Sequence, residues 1–254
     1  MGKAWTFAAL VIFSFASVCF AQDTSQSPLD ELKRKAQEII RFKGQANNSL
    51  TDDKIIAGLR EALSQSTRNA VASTGRPDGF LKNEAIKILL PEKLQTVGKG
   101  MRMVGMGSQV DDLEVGMNRA AEQAAPAAKQ IFLNSLSKMT FQDARQILSG
   151  GDTAATDYFK RTSTNDLTTA FAPIVHKAML NVGVIRQYNK MIRNPMIANS
   201  GAARDLNLDN YVVGKTLDGL FYVMGQEEQK IRTDPMAQTS AILREVFGAA
   251  AQQK

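Results

Sequence analysis

Cysteine, tryptophan and histidine occur once each in this 254-residue chain, and each scarcity removes a class of chemistry. One histidine, His176, leaves no metal site built on paired histidines. Cys19 stands too near the N-terminus to belong to the expected mature chain, so no internal His–Cys couple remains for nucleophilic catalysis. A serine triad would have to use His176, and no Gly-x-Ser-x-Gly elbow is present. Aromatic residues make up only 7%, and the single Trp is Trp5. Their scarcity weakens a carbohydrate-cleft reading, because sugar faces stack on aromatic rings. No cofactor and no metal is implied.

Long apolar runs are also missing, apart from one at the N-terminus. Lys3 is followed by Ala4 to Phe20, apolar but for Thr6, Ser14 and Ser17, and Cys19-Phe20-Ala21 places small residues at the −3 and −1 positions. This is the layout of a secretory signal peptide, residues 1–21, cleaved after Ala21. It is slightly short for a spanning helix and lacks a charged stop. A lipoprotein cut before Cys19 is the weaker reading, since Val18 stands where a lipobox wants a small residue. The expected product is therefore exported and periplasmic. Removing the leader takes away Trp5, Cys19 and four of the twelve phenylalanines, and leaves about 233 residues without a disulfide. The formal charge is +6, of which Lys3 supplies one, leaving +5. A soluble basic surface accounts for it, with peripheral contact with an anionic membrane surface as the other use. Export and the lack of a basic block argue against nucleic acid.

What remains is overwhelmingly helical in period. Residues 22–28 are a polar lead-in, 29–248 a single helical domain and 249–254 a C-terminal tail. Leu29, Leu32, Ala36, Ile39 and Ile40 form one core-facing stripe. Thr51 caps a second helix that buries Ile55, Ile56, Leu59, Ala62 and Leu63 and ends before Gly75. Pro77-Asp78-Gly79 marks a turn, and Ile86 to Leu90, closed by Pro91, is the one stretch that reads as extended. Pro91 opens a helix carrying Leu94, Val97, Met101 and Val104. Ser108 caps a long one with Val110, Leu113, Met117, Ala120, Ala121 and Ala124 inward, kinked or divided at Pro126. Thr140 and Asp143 resemble a capping box, and Gly150-Gly151-Asp152 reads as a C-cap followed at once by an N-cap. Further helices are expected from Ser163 or Thr164 to Leu180, from Val184 to Arg193, from an Asp209 cap to about Arg232, and a last one to Gly248, with 194–207 a loop. The fold class is mostly α, a single-domain irregular bundle with one short extended or hairpin segment near 80–91.

Three constellations invite a functional reading. Met101, Met103 and Met106 would suit copper(I) only in a loop, because on a helix their sulfurs diverge. Asp205, Asn207 and Asp209 alternate like the start of a calcium loop, but Thr216 replaces the closing Glu and Asn210 the glycine. The helix after Asp209 carries Val213, Leu217, Leu220, Phe221, Met224 and Ile231 on one stripe, with Gly214, Asp218 and Gly225 along its edge. Those glycines suggest close approach, and Asp218 beside them would want a basic partner, Arg119 or Arg76.

Several of these residues fall in ordered motifs: Gly75-Arg76-Pro77-Asp78-Gly79-Phe80, Leu90-Pro91-Glu92-Lys93-Leu94, Met117-Asn118-Arg119-Ala120-Ala121-Glu122, Gly150-Gly151-Asp152-x-Ala154-Ala155-Thr156-x-Tyr158-Phe159 and Leu217-Asp218-Gly219-Leu220-Phe221. Together, over residues 50 to 248, they resemble the domain-of-unknown-function family 4197. The resemblance implies an exported, mostly helical bacterial protein and no particular activity. Arg76, Asn118, Arg119 and Asp218 are the candidate cluster beside an interhelical groove. The expected function is non-enzymatic binding of an apolar or amphiphilic ligand, or of an envelope partner. The alternative is a metal-independent, hydrolase-like enzyme using Asp, Glu, Arg and Asn in an interhelical cleft.

Overall fold

The computed structural model describes residues 52–181, 183–193 and 207–234. The leader, the lead-in, the stripe at 29–40, the Thr51 cap, most of the 194–207 loop and everything after Asp234 lie outside them. Eight α-helices and no strand occur among the described residues. They are α1 (Asp52–Gly75), α2 (Glu92–Met103), α3 (Gly107–Ala124), α4 (Ala128–Ser137), α5 (Phe141–Ser149), α6 (Ala154–Asn181), α7 (Val184–Ile192) and α8 (Leu208–Thr233).

Helix α8 is the centre of the packing. It lies against α6, α1 and α3, while α6 also meets α3, α4, α5 and α7. Its expected stripe is buried throughout, from Val213 to Ile231. Phe132 of α4 joins the layers, with ring centroids 4.9 Å from Phe159 of α6 and 6.0 Å from Phe221 of α8, both edge-on. The inward set of α3 is buried as the period predicts, and Pro126 divides that helix from α4 through a 3₁₀ turn at Ala125–Ala127. Thr140 and Asp143 close a reciprocal capping box on α5.

Several boundaries differ from expectation, and α1 runs through Gly75 instead of ending before it. Val104 lies past the end of α2 and is exposed. Helix α3 begins at Gly107 behind Met106, with no side-chain cap from Ser108. The segments before and after Ser163 are one continuous helix of 28 residues, with Ser163 buried in its middle and Pro173 inside it. Ser163 Oγ shares a 2.7 Å hydrogen bond with Ser135 Oγ, so this serine faces a neighbouring helix rather than starting one. Helix α8 is capped by Asn207, whose side chain accepts from the Asn210 N–H at 2.9 Å, and Asp209 sits in its first turn.

Between α1 and α2 the chain makes no helix. Ile86, Ile88 and Leu90 are buried while Leu89 is half exposed, the period-2 pattern of an extended chain. The expected extended stretch is present, without a hairpin, and it pairs with no other strand among the described residues.

Candidate functional site

The Pro-Asp-Gly turn sets the geometry. The Gly79 N–H donates to the Arg76 carbonyl at 3.0 Å, with Pro77 and Asp78 between them and Asp78 at φ +66°. A Cβ on Gly79 would lie 2.4 Å from the Ser73 carbonyl and 2.7 Å from that of Thr74. Only glycine lets the turn fold back on the last turn of α1. Phe80 then enters the core, fully buried.

Helix α3 holds this turn with side chains. Buried Glu122 accepts the N–H groups of Phe80 and Leu81 on Oε1, both at 3.1 Å. Its Oε2 receives Arg119 Nη1 at 2.7 Å, and Arg119 Nη2 reaches Asp78 Oδ1 at 2.7 Å. Lys82 Nζ lies 2.8 Å from Asp78 Oδ2. Hydrogen bonds from Lys82 and then Arg119 hold the Asp78 carboxyl below its ordinary value, and Glu122 and then Asp78 raise the Arg119 guanidinium. One turn back along α3, buried Asn118 binds Ile88 at both backbone atoms. Its Oδ1 accepts the Ile88 N–H and its Nδ2 donates to the Ile88 carbonyl, each at 2.8 Å.

Asn118 and Arg119, neighbours on α3, serve different segments, Asn118 the backbone of Ile88 and Arg119 the carboxylates of Glu122 and Asp78, and neither Asp218 nor Arg76 joins them. Asp218 is largely exposed, its carboxylate 3.5 Å from Lys215 Nζ, and the acids that answer Arg119 are Glu122 and Asp78. The 100° step of α8 turns position 218 to the rim while its neighbour faces inward. Arg76 is exposed and takes no ion partner among the described residues. The glycine of close approach is Gly219. A Cβ there would fall 2.6 Å from Phe80 Cε1 and 3.1 Å from Ile86 Cβ, whereas nothing lies within 4 Å of one on Gly214 and Gly225 makes only ordinary contacts.

Asp218 instead lines an open groove of about 630 Å³ between the extended segment and α8. Leu89 and Tyr222, each about half exposed, form its apolar surface, and Lys87, Lys93 and Lys215 its cationic rim. Tyr211 OH donates to the Leu89 carbonyl at 2.9 Å. Burial, then the acids Glu92, Glu114 and Asp218, push this phenol above its ordinary value, so it stays a donor. Asp218 and Tyr222 also border a second hollow of about 470 Å³ that reaches Thr153, Lys160 and Gln229.

A second buried carboxylate was not singled out from the sequence. Glu228 of α8 accepts the N–H groups of Ala155 and Thr156 and the Thr156 hydroxyl, all at 2.9 Å, so it caps α6 from another helix. Asp152, expected to cap that helix, lies outside its first turn and is exposed. Arg232 donates Nε and Nη2 to Glu228 Oε1 at 3.0 and 2.8 Å, and Nη2 also reaches the Ile147 carbonyl at 2.8 Å. The signal was there: position 228 falls on the apolar stripe between Met224 and Ile231, and an acid there needs internal partners. His176 Nδ1 lies 2.6 Å from Asp209 Oδ2, an exposed contact between α6 and α8 that sequence reading also missed.

No three His, Cys, Asp or Glu side chains among the described residues converge to hold a metal. Met101 is buried in α2, Met103 points to solvent, and Met106 stands beyond the helix. No helix among the described residues is long and apolar enough to cross a membrane. No curated protein and no solved structure matches the chain. One family model, "Protein of unknown function (DUF4197)", matches residues 49–248, which span every motif described above. The chain belongs to the DUF4197 family.

Proposed function

We propose that this is an exported envelope protein that binds, without catalysis, an apolar or amphiphilic ligand or an envelope partner in the groove between residues 85–95 and α8. The observation that carries this reading is the composition of the groove. Leu89 and Tyr222 offer half-exposed apolar surface, while Lys87, Lys93 and Lys215 surround it. An apolar floor with a few polar groups at its edge is how binding sites for amphiphiles are built. The leader sequence supports the location and the absent His and Cys chemistry supports the non-enzymatic part.

The enzymatic alternative has less to work with. Glu122 and Glu228 are occupied by backbone N–H groups and arginines, and Asn118 by Ile88. The acids at the groove are Glu92 and Asp218, and the latter faces Lys215. Native mass spectrometry of the protein purified from the envelope is the test. Co-purified lipid or partner is expected, and Leu89→Asp with Tyr222→Asp should abolish it without altering the melting temperature. Equal recovery from that double variant would refute the assignment.

A further inference from the structure

The extended segment is held as a strand would be, but its neighbour on one side is a helix. Asn118 and Glu114 stand one turn apart on α3, a spacing of about 5–6 Å that is close to the repeat of alternate residues along a strand. Asn118 takes both backbone atoms of Ile88, and Glu114 Oε1 takes the Leu90 N–H at 3.3 Å. Side chains of α3 therefore replace one rail of a β-ladder. In extended backbone the polar groups of successive residues point to opposite edges, so those of Lys87 and Leu89 face away from α3. Tyr211 of α8 confirms the direction by binding the Leu89 carbonyl.

On this second edge the Lys87 N–H is already given to the Asn83 carbonyl at 2.8 Å and the Leu89 carbonyl to Tyr211. The Lys87 carbonyl and the Leu89 N–H take no hydrogen bond among the described residues. A neighbouring strand, parallel or antiparallel, can pair with the carbonyl of one residue and the N–H of the second residue after it, which is the pair left open.

Resting on the groove-binding reading, we propose that the groove takes an extended acidic peptide of a partner protein, added as a strand to the Lys87–Leu89 edge. Its alternate side chains meet Leu89 and Tyr222. Charge selects an acidic sequence. Lys87 and Lys93 have no acidic partner among the described residues, Lys215 faces Asp218, and Glu92 is the one other acid on the lining.

The test uses the ¹³C,¹⁵N-labelled full chain and an end-blocked decapeptide of alternating Val and Thr with Glu at both ends. The expected result is saturable binding with a downfield shift and slowed exchange of the Leu89 amide, while the Ile88 amide changes little. The same peptide with every backbone nitrogen methylated should bind at least about tenfold more weakly, the equivalent of one lost hydrogen bond. Lys87→Glu combined with Lys93→Glu should weaken the acidic peptide and strengthen a Lys-ended version. Binding that leaves the Leu89 amide unchanged, or that survives methylation, overturns the strand-addition proposal. A monomeric anionic lysolipid that shifts Leu89 and Tyr222 side-chain signals when the peptide does not would remove strand addition and keep the groove reading. Failure of both probes would remove both.

Discussion

Glu122 and Glu228 apply the same device at two places and to different ends. Each is a buried carboxylate on a helix, accepts two consecutive N–H groups from elsewhere in the chain, and is paired with an arginine one turn away. Around Glu122 the arginine's other arm returns to Asp78 in the turn that Glu122 already holds, and Arg119 stays about one-third exposed. Around Glu228 the same Nη2 that binds the carboxylate also reaches the Ile147 carbonyl at the end of α5, and Arg232 is only 11% exposed. One cluster fastens a loop to a helix. The other fastens three helices, α5, α6 and α8, at a single point. A buried acid of this kind replaces backbone pairing where helices end, and its weight should follow the number of elements it joins.

Removing the Glu228 carboxylate should have the largest effect. Glu228→Ala leaves the N–H groups of Ala155 and Thr156 without their acceptor and breaks the buried pair with Arg232, and a loss of about 3–5 kcal/mol is expected in denaturant unfolding. Glu122→Ala strands the Phe80 and Leu81 N–H groups, but Arg119 keeps Asp78 and can turn to water. About 2–3 kcal/mol is expected there. A reversed order would break the comparison. Gly219→Ala adds a methyl group against Phe80 and Ile86, which anchor the same loop, and should cost about 1–3 kcal/mol. If it and Glu122→Ala act on one docked unit, the double variant should lose less than the two single losses together.

The acid limb of the stability curve sharpens the picture further. The Asp78 carboxyl is depressed from its ordinary value of 3.8 by Lys82 and Arg119, so it binds protons more readily in the unfolded chain. Its stabilisation is complete above about pH 5 and disappears as pH falls through its lower folded value. Asp78→Asn should therefore flatten thermal unfolding between about pH 5 and pH 2 and leave the Glu228 cluster untouched. Smallest of all is Asp218→Asn, expected to stay within about 0.5 kcal/mol because the carboxylate is solvated. A loss beyond about 1.5 kcal/mol would restore Asp218 to a structural role.

The pattern of what was legible in the sequence follows from the range of the forces involved. The buried stripes of α3 and α8, the Thr140 capping box and the division at Pro126 are local in sequence, so periodicity and capping rules reach them. The long helix Ala154–Asn181 was divided at Ser163 because serine there competes well as a cap, and only the contact with Ser135 shows that it faces inward. Asn118 and Arg119 read from the sequence as polar residues beside a buried stripe. Their partners lie 30 and 41 residues away, in the extended segment and in the turn, and no helical wheel can supply those. Gly214 and Gly225 beside Asp218 are visible in the sequence, whereas the close packing of Gly219 depends on Phe80 arriving from another segment. Glu228 could have been read from its place on the apolar stripe, although the N-terminus it caps could not.

Side-chain groups of α3 and α8 take the place of backbone acceptors for Phe80, Leu81, Ile88, Ala155 and Thr156. Residue-resolved amide hydrogen exchange on the native chain and on two variants tests it most directly. The account predicts that all five amides are protected in the native chain. Phe80 and Leu81 should lose protection selectively in Glu122→Ala, and Ala155 and Thr156 in Glu228→Ala, under conditions where each variant stays folded. Native exchange of these amides as fast as that of exposed loop residues would contradict it.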